Sequence, residues 1–138
     1  MEPFESVDFF GIEELLTEDE RLVQHSVREF VSDQVVPIID EHFEKGTFPS
    51  DLIPQLGELG VLGANLDGYG CAGLNNVAYG LIMQELERGD SGVRSFVSVQ
   101  GALVMYPIYT FGTEEQKQKY LPKLATGEML GQSEATDH

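Results

Sequence analysis

Arg94 and Ser98 stand four residues apart in the run SGVRSFVSVQ, and on a helix that spacing sets a guanidinium and a hydroxyl on one face. A guanidinium offers a planar fork of donors matched to a carboxylate, and a hydroxyl one turn away adds a third donor. Together they could grip the acidic end of a ligand in a dry pocket. The competing reading is snorkelling, with Arg94 lying along its helix toward Asp90, also four residues away, over the apolar neighbours Val93, Phe96 and Val97.

Other groups carry less. GYGCAG at 68–73 has the glycines of a phosphate cradle, but no Lys-Ser/Thr follows it and no buried strand precedes it. With Gly63, Asp67, Asn75 and Asn76 around it, the segment is expected to be a structured loop joining two helices, since each glycine inside a helix would cost about 1 kcal/mol. ELERGD at 85–90 mixes Glu85, Glu87, Arg88 and Asp90 and is expected to be a solvated helix end rather than an acid/base pair. His25, His42 and His138 are scattered, Cys71 has no neighbouring ligand, and neither HExxH nor CxxC occurs, so no metal is expected.

The chain has 24 acidic and 8 basic residues, a formal charge of -16, and would be repelled by phosphate backbones and anionic lipid surfaces. No nucleic-acid or membrane partner is therefore expected. Cys71 is the single cysteine, which excludes an intrachain disulfide, and no apolar run is long enough for a membrane span. MEPFESVDFF carries acidic groups where a secretory signal carries positive charge, so the expected compartment is a bacterial cytoplasm or a mitochondrial matrix. The 138 residues, 41% of them hydrophobic, suit one globular domain with a real core.

The elements that must position Arg94 and Ser98 are helical. Thr17 and Glu20 form a capping box, and Leu22, Val23, Val27, Phe30, Val31 and Val35 follow as one apolar stripe. Pro37 predicts a kink or break, with helix resuming through Ile38, Ile39 and Phe43 to Gly46. A second helix runs from about Asp51 to Gly60, and a third from a cap at Asn75 or Asn76 through Val77, Ala78, Leu81, Ile82 and Leu86 to Gly89. The fourth, about 92–111, is capped by Asp90 or Ser91 and turns Val93, Phe96, Val97, Leu103 and Val104 inward, with Gly101 and Pro107 weakening its second half. Thr113 and Gln116 open a fifth that runs to Gly127. Five helices with short connections and no hairpin signals predict an all-α, mostly antiparallel helical bundle.

Taken together and in order, GELGVLG, GYGCAG, VAYGL, ELERGDSG, SVQ and PIYTFGTEEQKQKYLPKLATGEMLG resemble the N-terminal domain of acyl-CoA dehydrogenases over residues 10–131. Arg94, Ser98 and the GYGCAG loop resemble the glutaryl-CoA branch. The resemblance implies an FAD enzyme in which a glutamate takes the α-proton of an acyl-CoA while hydride passes from the β-carbon to the flavin. In the glutaryl-CoA case the terminal carboxylate then leaves as carbon dioxide, giving crotonyl-CoA, and some relatives desaturate without decarboxylating. It further implies that Arg94 and Ser98 bind the distal carboxylate beside Val97 and Leu103, that an electron-transfer flavoprotein reoxidises the flavin, and that the whole enzyme is a homo-oligomer.

Family members continue into a β-domain through a Leu-Thr-Glu-Pro segment and a Gly-Ser-Asp, whereas residues 132–138 read QSEATDH. Thr136 falls at the family's flavin-contacting threonine, the single cofactor-binding residue the resemblance offers here. The expected organisation is a helical domain over 1–131 and a divergent tail over 132–138. No catalytic residue is expected in this chain, because the resemblance puts the catalytic glutamate in a C-terminal helical domain. Alone the chain is expected to be inactive, as a piece of a full dehydrogenase or, alternatively, as a stand-alone interaction or scaffold module.

Overall fold

In a computed structural model, residues 16–130 are described, and among them the ordered elements are helical with no strand. Helix α1 (Glu18–Phe30) starts at the Thr17 capping box, in which the Thr17 hydroxyl accepts from the Glu20 N–H and the Glu20 carboxylate accepts from the Thr17 N–H. It does not break at Pro37. A π turn at Val31–Val35 leads without interruption into α2 (Val36–Lys45), and the Val36 N–H bonds the Val31 carbonyl five residues back. A proline crowds the carbonyl four residues before it and lacks its own donor, and the wider turn just upstream accommodates both.

The same device recurs further along the chain. Helix α3 (Leu52–Leu59) ends on left-handed Gly60, and α4 (Asn76–Gly89) starts with the Asn75 side chain accepting from the Ala78 N–H. Helix α5 (Ser91–Ser98) passes through a π turn at Val99–Met105 into α6 (Tyr106–Phe111), where Pro107 sits in the first turn. Helix α7 (Glu114–Thr126) opens with the Thr113–Gln116 capping box and ends on left-handed Gly127. Among the described residues five continuous rods result, as expected from the sequence.

The π turn moves the residues after it around the rod, so the expectation of an inward Leu103 is wrong. Leu103 is 71% exposed, while Gln100, Gly101 and Met105 turn inward. Leu22 likewise lies outside the α1 stripe, on its solvent side, and Val77 is half-exposed.

Val27, Val31, Val35, Leu52, Leu56, Ile82, Leu86, Val93 and Val97 form the main core among the α1 rod, α3, α4 and α5. Each such side chain stabilises the fold by about 1.5–3 kcal/mol relative to exposure. A second cluster, Leu66, Met105, Leu121, Leu124 and Ala125, ties the second π turn to α7. The bundle is mostly antiparallel, but α1 and α4 run side by side in the same direction, as the successive links Glu20–Asn75, Arg28–Glu85 and Ser32–Arg88 show.

Candidate carboxylate-binding site

Asp90 makes the corner that brings the site together. Its backbone is extended, its N–H bonds the Leu86 carbonyl, and its carboxylate caps α5 by accepting from the Val93 N–H at 2.9 Å. With a single residue between them, α4 and α5 fold back antiparallel. Val93 and Val97 are fully buried against the core and fix the rotation of α5, so Arg94 and Ser98 lie along the α4–α5 seam, each partly exposed.

Arg94 does not reach for Asp90, whose carboxylate is engaged in the cap. It pairs instead with Glu87 on the facing helix, Nε to Oε1 at 2.9 Å, with the arginine side chain 36% and the glutamate 50% exposed. Farther down the seam, Ser98 neighbours the Tyr79 phenol. Burial pushes the Tyr79 pKa up and the Ser98 contact partly opposes that shift. The seam thus holds a braced guanidinium and a hydroxyl one turn apart. Val97 sits in the core beside them, as expected, and Leu103 does not.

On the next face of α5, Phe96 stacks at a tilt on Phe48, ring centroids 5.3 Å apart. These rings, with Ser95, Val99, Gln100 and Val104, line a groove of about 600 Å³. Gln100 is buried at its base and donates through Nε2 to the Leu124 and Met129 carbonyls, which pins the end of α7 and the segment after it.

ELERGD is not a solvated helix end throughout. Glu85 is 2% exposed and accepts from Arg28 at 2.8 Å through one oxygen and from Arg88 at 3.2 Å through the other. Arg88 also donates to the Arg28 carbonyl and the Ser32 hydroxyl, so the network clamps α4 to the first π turn. The charge composition of the run concealed this. Helical spacing could have found it, because Ala78, Leu81 and Ile82 lead to position 85 on the same face.

The GYGCAG segment is a loop, as expected, and ties down α7. Tyr69 adopts the left-handed region at φ 56 between two left-handed glycines, and its hydroxyl donates to the Glu114 carboxylate at 2.8 Å. That bond raises the Tyr69 pKa, and burial raises that of the Cys71 thiol. Glu114 and Asp67 beside these glycines would repel a phosphate. This loop therefore does not fit the phosphates of a flavin, and Thr136 lies outside the described residues. No three His, Cys, Asp or Glu side chains gather as a metal site among the described residues, and none of the described helices is long and apolar enough to cross a membrane.

Residues 17–128, almost the whole described fold, match the family described as acyl-CoA dehydrogenase, N-terminal domain. The chain belongs to that family. A crystal structure of a glutaryl-CoA dehydrogenase from Mycobacterium smegmatis in complex with FADH2 is 52% identical with a TM-score of 0.85, over 88% of this chain and 32% of that one. An acyl-CoA dehydrogenase of Bacillus subtilis (strain 168) is 34% identical over 117 residues, 84% of this chain and 31% of the relative. A chain in a structure of the electron transferring flavoprotein of Acidaminococcus fermentans is 36% identical with a TM-score of 0.79, over 83% of this chain and 30% of that one. This acyl-CoA dehydrogenase domain thus spans about a third of the relatives' length.

Proposed function

We propose that this domain belongs to a flavin-dependent, glutaryl-CoA-type dehydrogenase and that Arg94 and Ser98 hold the distal carboxylate of its dicarboxylic acyl-CoA substrate. The observation that carries the reading is the Glu87–Arg94 pair. Glu87 engages Nε and sets the plane of the guanidinium, and the edge with the two terminal nitrogens is the fork a carboxylate takes. Ser98, one turn on, supplies a further donor on the same face.

The overall reaction is α,β-dehydrogenation of the acyl-CoA thioester, with or without later loss of the carboxylate as carbon dioxide. The residues here act on recognition: a carboxylate anchored at Arg94 fixes how far the acyl chain reaches and so where its α- and β-carbons lie. FAD, the catalytic glutamate and the docking of an electron-transfer flavoprotein are assigned to the rest of the parent enzyme. The likeness to a glutaryl-CoA dehydrogenase and to a chain in the flavoprotein structure supports that assignment. Residues 132–138, with Thr136, would form the passage into its β-domain. Val99, Leu103, Tyr106 and Phe111 are 44%, 71%, 50% and 83% exposed, apolar surface that the rest of the parent enzyme would cover. A bacterial cytoplasm or a mitochondrial matrix is the compartment such an enzyme occupies.

The intact mass and visible absorbance of the protein isolated from its source test this reading. A mass well above 15.3 kDa with bound flavin is expected. A colourless protein of 15.3 kDa would replace it with a stand-alone helical interaction module.

A further inference from the structure

The second π turn rotates a polar side chain, that of Gln100, into the protein, where it is 3% exposed. Its Nε2 donates to two carbonyls at once, Leu124 at 3.0 Å and Met129 at 2.9 Å. Leu124 lies in the last turn of α7, where carbonyls lose their regular helical partners, and Met129 lies beyond the Gly127 cap. One carboxamide therefore ties the α5 rod to the segment that leaves α7. The Met129 carbonyl belongs to the peptide that starts Leu130, and Leu130 lines the groove together with Ser95, Phe96, Val99 and Gln100 itself. Gly127, earlier in the same segment, is pressed on Ile53, another groove residue. The segment is thus seated on one side by packing and on the other by Gln100.

We propose that Gln100 is a positioning residue that sets the shape of an acyl-chain groove, by holding the Met129 carbonyl and with it the Leu130 side chain in the groove wall. This rests on the reading above that the domain recognises an acyl-CoA. The groove lies on the face of α5 next to Arg94 and Ser98, so a chain whose end reaches that seam runs along it. Without the Gln100 donor, two carbonyls in a dry site lose a partner, and the segment recovers those bonds by shifting toward water. Leu130 moves with it and the wall yields. A held wall rejects bulk because a tightly packed site resists extra methyl groups, and a yielding wall admits it. The chemistry selected is a short, unbranched acyl chain.

The test uses the full-length enzyme with Gln100→Met and Gln100→Glu, assayed on pentanoyl-CoA and on the bulkier 4-methylpentanoyl-CoA. Gln100→Met keeps the length of the side chain and loses the donor. It is expected to raise the ratio of kcat/KM for the branched substrate to that for the straight one about 3- to 10-fold, mainly through KM. Gln100→Glu adds a titration. Burial favours the protonated carboxyl, which still donates, so the ratio should stay near the parental value in weakly acid buffer and rise toward that of Gln100→Met as the group ionises. Equal losses on both substrates, including those of a poorly folded variant, would overturn the proposal, as would a Gln100→Glu ratio that does not change with pH. Arg94→Ala run alongside separates the two ideas. If it weakens glutaryl-CoA and pentanoyl-CoA alike, the carboxylate reading falls, and the branched-to-straight ratio, which needs no carboxylate, still decides the role of Gln100.

Discussion

Glu87 accepts a 2.9 Å hydrogen bond from Arg94 Nε across the Asp90 corner, whereas Glu85, two residues earlier, is turned into the protein and is 2% exposed between Arg28 and Arg88. Two carboxylates in one short run thus serve different ends, one bracing a half-exposed guanidinium and the other holding helices together.

Their removal should separate these roles. Glu85→Ala leaves two largely buried guanidinium groups without their shared partner and is expected to cost about 3–5 kcal/mol. Glu87→Ala breaks a half-exposed pair and is expected to cost less than about 1 kcal/mol. Urea unfolding of the two variants checks both, and comparable losses would contradict the assignment.

Acid should loosen the start of α1. The Thr17 backbone N–H, and then the Asn75 side-chain amide, hold the Glu20 carboxyl below its ordinary value of 4.5. A lowered folded-state pKa means that the stabilisation is present above 4.5 and is lost as pH falls through the lowered value. Thermal melts of Glu20→Gln and the parent chain should differ at neutral pH and converge on acidification. A difference that stays constant with pH would remove the carboxylate from this account.

Gly57 marks the closest approach of α3 to α7. A Cβ there would run into the Thr126 carbonyl, and Gly127, next along, packs on Ile53. Gly57→Ala gains about 1 kcal/mol of helix propensity, yet backbone pressed against backbone costs about 1–3 kcal/mol or more, so the steric term wins. A lower melting temperature is expected, and a higher one would show that the crossing is looser than described.

Local signals made the rods legible: two capping boxes, the Asn75 and Asp90 caps, and Gly46, Gly60 and Gly127 at helix ends. The π turns were not legible, because spacing by 3.6 residues presumes one repeat throughout, and Leu103 was placed on the wrong face for that reason. Arg94 and Ser98 could be put forward as candidates from their types and spacing, but the partner of Arg94 could not. Asp90 is occupied as a cap, and Glu87 meets Arg94 only through the fold-back of α4 on α5. Glu85 was hidden by its charge, since its burial depends on Arg28, 57 residues away.

Arginine geometry, beyond charge, should matter at the site. Arg94→Lys keeps the cation but loses both the planar fork and the Nε bond to Glu87. In the full-length enzyme it is expected to recover less than about a tenth of the glutaryl-CoA kcat/KM, with the pentanoyl-CoA value nearly unchanged. Near-complete activity on both substrates would reduce Arg94 to a point charge.

The measurement that bears most directly on the proposed site is the ratio of kcat/KM for glutaryl-CoA to that for pentanoyl-CoA, in the full-length enzyme with and without Arg94→Ala. The ratio is expected to fall on the order of 30- to 100-fold, because only the dicarboxylic substrate loses a charge-assisted partner. An unchanged ratio, with both substrates weakened alike, would mean that Arg94 holds the domain together and does not read the carboxylate.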